Sequence, residues 1–257
     1  MATDTNIDNW ESHWDEYAES AKENPAQEYR RQLILDGFQN KNNPRVVDCG
    51  SGQGDLVHYL KGKLKNPQFF GLELSLSGIK CSQSKVPDAE FYQQDLLKTY
   101  EGPEQFKNWA DYAVCSEVLE HIDEPHNVLK NIRPLLSEQG QLIVTVPGGP
   151  RTFFDKHIGH RKHYTKKELA QLLGDCGYEV VKCYASGFPF FNLYKIVVMA
   201  RGKKILADIS ESEVKGSSGV SRLAHFVMRI FDGLFKLNFK NSLWGWQIYA
   251  IAKLKKD

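Results

Sequence analysis

Apolar positions in this chain recur with two different periods. Runs with little polar interruption fall at "RVVDCG" (45–50), "QFFGLEL" (68–74), "AEFYQQD" (89–95), "ADYAVCS" (110–116) and "QLIVTVP" (141–147). Their lengths and their β-branched and aromatic content predict strands. Between them the apolar residues follow helical spacing. They do so in "QGDLVHYLKGKL" (53–64), in "SLSGIKCSQSK" (75–85), and in a stretch after 116 that runs to about 136. That last stretch is interrupted at Asp123-Glu124-Pro125, and Gly140 ends the helical region. Strand–helix alternation of this kind predicts a parallel sheet with helices on both faces, an α/β fold.

The flanks read differently. Residues 6–21 place Trp10, His13, Trp14 and Tyr17 on one stripe of a helix, and 26–38 form a second helix after Pro25. The loop "GGPRTFFDKHIGHRKHY" leads to a helix at 165–177 that opens with a capping box of Thr165 and Glu168 and closes at Gly177. "YEVVKCYA" (178–185) is a strand. Residues 188–240 read as an aromatic helical insert with a polar loop at 210–219 and an amphipathic helix at 221–236, and "WGWQIYAIAKL" (244–254) closes the chain as a strand. The expected organisation is one domain over 1–257: a lid helix in 1–25, a core in 26–187, the insert in 188–240 and the closing strand in 241–257.

Composition narrows the partners. With 257 residues, 41% of them hydrophobic, the chain can bury a full core without staples. A net charge of +1 gives no bulk field, so no nucleic-acid partner is expected. The five cysteines are odd in number and include no CxxC pair, which fits free thiols in a reducing, cytoplasmic setting. "MATDTNIDNW" has neither a basic start nor an apolar run, so no secretory signal is expected there. The longest apolar stretch, "FPFFNLYKIVVMA", is 13 residues and carries a lysine. A membrane span needs about 20.

Candidate chemistry begins at "VVDCGSGQGD". Gly50, Gly52 and Gly54 let backbone approach a ligand where the first strand gives way to a helix. The spacing is G-x-G-x-G rather than the dinucleotide pattern G-x-G-x-x-G, and Asp48 precedes it. An acid there disfavours a pyrophosphate and suits an ammonium or other cationic centre. Glu73 ends the second strand, where a carboxylate can accept both hydroxyls of a ribose. Asp95 and Leu96 end the third, where an acid and an apolar neighbour suit an adenine amino group and ring. Taken singly each acid also reads as turn or cap chemistry. Taken together they line one crevice at the carboxyl ends of successive strands.

With these residues the chain resembles the class I S-adenosylmethionine-dependent methyltransferases. "DCGSGQGD", Glu73, "QQDLL" and "SEVLEHIDEP" match that family's motifs in order, over roughly residues 26–185. The resemblance implies a Rossmann-like, doubly wound sheet of seven strands, the last antiparallel. It implies S-adenosylmethionine held by Asp48, Gly50, Gly52, Glu73, Leu74, Asp95 and Leu96, with Ser116 and Glu117 beside its sulfonium. Tyr17 would reach the cofactor from the lid. One departure is the separation of about 60 residues between the sixth and seventh strands, where the family usually has a short hairpin.

Methyl transfer to a hydroxyl needs a base or a metal. If 117–121 is helical, Glu117, Glu120 and His121 share a face and suit a divalent ion such as Mg or Zn. The ubiquinone-pathway O-methyltransferases and the small-RNA 2′-O-methyltransferases are similar here: they carry Glu-x-x-Glu-His at this place and bind a metal, with a distal histidine that has no unique counterpart in this chain. The bland alternative is a helix start whose acids favour the macrodipole. His157, His160 and His163 are candidate bases together with His121, and Arg151, Arg161 and Lys162 could hold an acidic acceptor. The expected function is O-methylation of a small-molecule acceptor, with N- or C-methylation of a natural product or lipid-linked acceptor as the alternative. A nicotinamide-dependent oxidoreductase and a non-catalytic binding protein are more distant rivals. The aromatic insert leaves peripheral membrane contact or a homodimer face open.

Overall fold

The computed structural model describes residues 24–199 and 222–256. The expected lid helix with Tyr17, and the polar loop at 210–219, lie outside them. Seven strands form one sheet: β1 (Arg45–Cys49), β2 (Gln68–Glu73), β3 (Glu90–Gln93), β4 (Ala110–Ser116), β5 (Leu136–Pro147), β6 (Tyr178–Ser186) and β7 (Gln247–Leu254). Their order is β3-β2-β1-β4-β5-β7-β6. β1 to β5 pair in parallel, and β7 runs antiparallel between β5 and β6. The chain reverses its direction of travel across the sheet between β1 and β4. That switch point opens a crevice at their carboxyl ends.

Helices cover both faces. On one, Leu33 and Ile34 of α1 (Pro25–Gly37) and Leu60 of α2 (Asp55–Lys61) pack on Val46, Val114 and Tyr249. On the other, Val128, Leu129 and Ile132 of α4 (Pro125–Ile132) and Leu169 and Leu173 of α6 (Lys166–Asp175) pack on Val47, Cys115 and Val144. Central strands buried on both sides explain the near-continuous apolar runs. Local chemistry sets the helix ends. Asn24 accepts the Ala26 N–H (2.9 Å) ahead of Pro25, and Ser75 accepts the Gly78 N–H (3.1 Å) to start α3 (Leu76–Lys85). The capping box at Thr165 and Glu168 is complete.

Four expectations need correction. The helix predicted from 117 to 136 is a 3₁₀ turn at Leu119–His121, α4, and a second 3₁₀ turn at Arg133–Leu135. Gly140 lies inside β5, which starts at Leu136 and meets β4 across a register shift. A Cβ on Gly140 would come within 2.7 Å of the Ala110 carbonyl, so glycine there serves strand pairing. The closing strand begins at Gln247, leaving Trp244 exposed in the preceding loop. The loop after β5 contains a short helix, α5 (Phe153–His157).

The long separation between β6 and β7 does not prevent their pairing, which runs from Tyr178↔Leu254 to Ser186↔Gln247. The insert folds back as α7 (190–199) and α8 (Arg222–Phe235). Phe191, Phe231 and Phe235 pack on Ala26 and Tyr29 of α1, so the insert joins the layer that covers the crevice. No helix of the described residues is long and apolar enough to cross a membrane.

Candidate active site

The loop from β1 to α2 is built for close backbone approach. Gly50, Gly52 and Gly54 have φ of 83°, 53° and 74°, a region costly for other residues. A Cβ on Gly50 would sit 2.5 Å from Val118 Cγ2. Glu73 ties this loop to the start of α3: its Oε2 accepts the Gly52 N–H (2.8 Å) and its Oε1 the Ser75 N–H (3.0 Å). Asp48 is 3% exposed, and burial together with the neighbouring Glu73 pushes its carboxyl up to about 7. Asp95 accepts the Leu97 N–H at 2.9 Å and lies 3.5 Å from the Lys98 ammonium.

These groups meet in one cavity of about 240 Å³. Asp48, Gly50, Gly52, Glu73, Leu74, Asp95, Leu96, Ser116 and Glu117 all line it. The strand order places Asp95 and Leu96 at one end, Glu73 and Asp48 in the middle, and Ser116 and Glu117 at the other. The sequence reading missed Gln27, Arg30 and Arg31, which bring the polar face of α1 over the cavity. Their signal was a helix with arginines beside apolar positions, which is also how a solvated helix reads.

Beyond the Glu117 end lies a buried cluster. Glu117 itself sits at φ 56°, and its N–H donates to the Thr145 carbonyl at 2.9 Å. Its Oε1 accepts from Thr145 Oγ1 (3.2 Å) and Gln247 Nε2 (2.9 Å), and its Oε2 pairs with Arg30 at 3.3 Å. The left-handed residue breaks the helix face on which Glu117, Glu120 and His121 were expected to align. Two sets of ligand atoms converge within 4.8 Å of one another among the described residues: those of Glu120, His121 and His160, and those of Asp155, His160 and His163. Glu117 is therefore replaced by His160 in the candidate metal set. Glu120 is wholly buried, and both its carboxylate oxygens lack a hydrogen-bond partner among the described residues. Burial, then the nearby Glu117, pushes its carboxyl far above the usual range. An orphaned buried carboxylate beside two imidazoles is a donor set that fits a divalent cation.

His121 and His160 stand edge to face with centroids 4.8 Å apart, and His160 Nδ1 lies 3.0 Å from His163 Nε2. His163 Nδ1 faces the Gly149 carbonyl at 3.2 Å, which can only accept, so the proton is on Nδ1. His163 Nε2 then accepts from His160 Nδ1–H, and His160 Nε2 keeps its lone pair. Burial holds both imidazoles below the usual histidine pKa, hence neutral near pH 7. Asp155, unforeseen in the sequence, lies 3.8 Å from each ring and is held by Thr152 and by Lys195 at 3.4 Å. Burial opposes its ionisation, but Lys195 and Thr152 outweigh that and keep it ionised. Lys195 already supplies the positive charge at Asp155, so Asp155, His160 and His163 fit a cation less well than the Glu120 set.

His157 does not belong to this cluster: it is exposed on α5 with its ring 6.5 Å from Phe153. Three cations expected at an acidic acceptor have protein partners. Arg151 donates to the His160 and Arg161 carbonyls, Arg161 pairs with Asp123, and Lys162 pairs with Glu168.

A family model described as a methyltransferase domain matches residues 17–183, which is more than half of the chain. The chain belongs to the class I S-adenosylmethionine-dependent methyltransferase family. A curated relative of this kind, (S)-coclaurine N-methyltransferase of Papaver somniferum, is 28% identical over 44% of this chain and 32% of that one. The matched stretch thus spans less than half the length of the curated relatives. Among solved structures, phosphoethanolamine N-methyltransferase 2 of Haemonchus contortus, determined with S-adenosyl-L-methionine, superposes with a TM-score of 0.62 at 14% identity, over 98% of this chain and 61% of that one. A TehB-like methyltransferase of Corynebacterium glutamicum superposes with 0.57 at 15% identity, over 95% and 99%. At these identities the structural likeness concerns the methyltransferase fold alone. The cavity fits the family's cofactor on its own chemistry: a loop of positive-φ glycines beside the carboxylates of Asp48, Glu73, Asp95 and Glu117, which suit a cationic ligand with ribose hydroxyls.

Proposed function

We propose that the protein transfers the methyl group of S-adenosylmethionine to an oxygen of a small-molecule acceptor. The observation that carries this reading is the convergence of Asp48, Glu73 and Asp95 on the glycine-framed cavity. In it, Asp95 and Leu96 hold the adenine and Glu73 accepts the ribose hydroxyls. Asp48 and the glycine loop hold the amino-acid end, and Ser116 and Glu117 flank the sulfonium. S-adenosylmethionine supplies the electrophilic methyl when bound.

The remaining task is the acceptor proton. The hydrogen bond to His163 leaves the His160 Nε2 lone pair free, but burial lowers the pKa of that imidazole to about 2, so alone it is a weak base and its lone pair serves better as a ligand. Glu120, His121 and His160 are the residues that would hold a divalent ion such as Mg or Zn, and a bound ion would acidify the acceptor hydroxyl. Glu120, His121 and a distal histidine keep part of the ubiquinone-pathway O-methyltransferase pattern, while Glu117 is engaged by Arg30 and Gln247. N-methylation is the second reading, favoured by the N-methyltransferase among the curated relatives. An amine brings its own lone pair and needs no base. The free cysteines fit a reducing, cytoplasmic setting.

The test is transfer from labelled S-adenosylmethionine into fractionated metabolites, with and without a chelator, alongside direct cofactor binding. An acid-stable product lost on chelation and restored by a divalent ion supports O-methylation with the Glu120 site. Product on an amine, indifferent to chelator, moves the assignment to N-methylation. Failure to bind S-adenosylmethionine, with binding of a nicotinamide cofactor instead, overturns the reading.

A further inference from the structure

The segment joining α8 to β7 is built inside out. Within 237–244 it exposes Leu243 (78%), Leu237 (65%), Trp244 (65%) and Phe239 (60%). Asn238 turns inward instead, and Ser242 is half-buried. Asn238 is buried and its Oδ1 accepts the N–H groups of Phe190 (2.8 Å) and Phe191 (3.2 Å), which starts α7. Ser242 Oγ accepts the Gly245 N–H at 2.9 Å. Backbone bonds fix the arrangement: the Phe239 N–H donates to Phe188 O (2.8 Å) and the Ser242 N–H to Ala185 O (2.8 Å). The apolar side chains are therefore held in water by a defined loop.

They continue into an open groove lined by Phe188, Leu193, Ile196, Leu243 and Trp244, where Leu193 and Ile196 are also exposed. The charged residues lining that groove are Lys166 and Lys167. Lys236 and Lys240 alternate with the exposed apolar residues along the loop, and 233–256 contains no aspartate or glutamate. Among the described residues the acids nearby include Asp36, which pairs with Lys240, Asp232 beside Lys236, and Glu168, which pairs with Lys162.

An apolar face of this size and order, with a tryptophan at its edge and lysines on its rim, matches the headgroup–acyl boundary of a bilayer. The protruding side chains suit a surface better than a ligand enclosed in the groove. Pairing with a second copy would set this lysine rim near its own kind in an isologous contact. Anionic headgroups neutralise it. We propose that this face docks on an anionic lipid bilayer, with Leu237, Phe239, Leu243 and Trp244 at the acyl boundary and Lys166 and Lys167 at the lipid phosphates. The contact is peripheral, and it stands independently of the methyltransferase reading. α7 carries Leu193 and Ile196 to this face and Lys195 to Asp155, so the docked face lies one helix from the histidine cluster.

The experiment is flotation of the full chain with phosphatidylcholine vesicles, with and without phosphatidylglycerol. The wild type is expected to float with the phosphatidylglycerol-containing vesicles and to lose that binding as salt rises. Leu237→Glu with Leu243→Glu should lower partitioning about tenfold or more, since each removes a leucine that docking would bury. Lys166→Glu with Lys167→Glu should lower it about fivefold per lysine, and only on anionic vesicles. All four positions are outside the cofactor cavity and the histidine cluster, and unchanged thermal midpoints will show that the variants fold. A wild type that stays at the bottom with both vesicles overturns the proposal, as does a leucine double variant that still floats. A dimer in sedimentation velocity that the leucine variant dissolves would make this face a contact between copies, and would overturn it equally.

Discussion

Asp48 shows how one buried side chain links stability to ligand charge. Its carboxyl titrates at about 7 in the fold and at about 3.9 in an unfolded chain. Between those values the folded state keeps a proton that the unfolded state has released. Its contribution to stability therefore falls as pH rises through this window and levels off above about 7. A cationic cofactor favours the ionised form. S-adenosylmethionine binding is expected to tighten as pH rises, by up to about tenfold per pH unit below 7, with proton release. Asp48→Asn should weaken binding and flatten both dependences. Calorimetry in buffers of different ionisation enthalpy, with thermal midpoints measured over the same pH range, checks this. Binding that is independent of pH and releases no proton would show that Asp48 does not face the cofactor's charge. The importance of Asp48 was legible from its place before the glycine loop. Its raised pKa was not, because burial and the approach of Glu73 arise only when β1 and β2 pair.

At the scale of elements, α6 was readable because its start is a local exchange of hydrogen bonds. Thr165 accepts the Glu168 N–H and Glu168 accepts the Thr165 N–H, within four consecutive residues. Thr165→Ala should cost about 1 kcal/mol of unfolding free energy. Urea denaturation with an unchanged m-value will measure it, and no loss would mean that tertiary packing alone sets the helix start. The segment after β4 misled because its conformation is not local. The Glu117 N–H continues the pairing of β4 with β5 by bonding the Thr145 carbonyl, and the chain then leaves the strand through a left-handed residue. Helical spacing put Glu117 with Glu120 and His121. The turn instead sends Glu117 to Arg30 and Gln247, and leaves Glu120 for His160.

Across the whole molecule, Glu117 is where distant segments meet. Arg30 reaches it from α1, Thr145 from β5 and Gln247 from β7. The two side chains of the ion pair are only 13% and 21% exposed, so water screens it poorly. Arg30→Ala should destabilise by about 1–3 kcal/mol, because a largely buried carboxylate loses its counter-charge. In a double-mutant cycle with Glu117→Gln, the combined loss should fall short of the sum of the two single losses. Strictly additive losses, measured by urea denaturation, would show that the two residues act separately.

The sequence by itself determined the features written in short-range order: the strand–helix alternation, the glycine loop with its acid, and the acids that end β2 and β3. Periodicity and turn chemistry act over a few residues, so they can be read along the chain. Only the tertiary structure decided which histidines assemble, that Asp155 and Lys195 join them, and that α1 roofs the cavity. Those contacts join residues separated by tens to hundreds of positions, as with Gln247 and Glu117, and packing and strand order bring them together. Exposure of Leu243 and Trp244 was decided the same way. In the sequence Trp244 reads as the start of the closing strand, and only the loop fixed by Asn238 and Ser242 puts it in water.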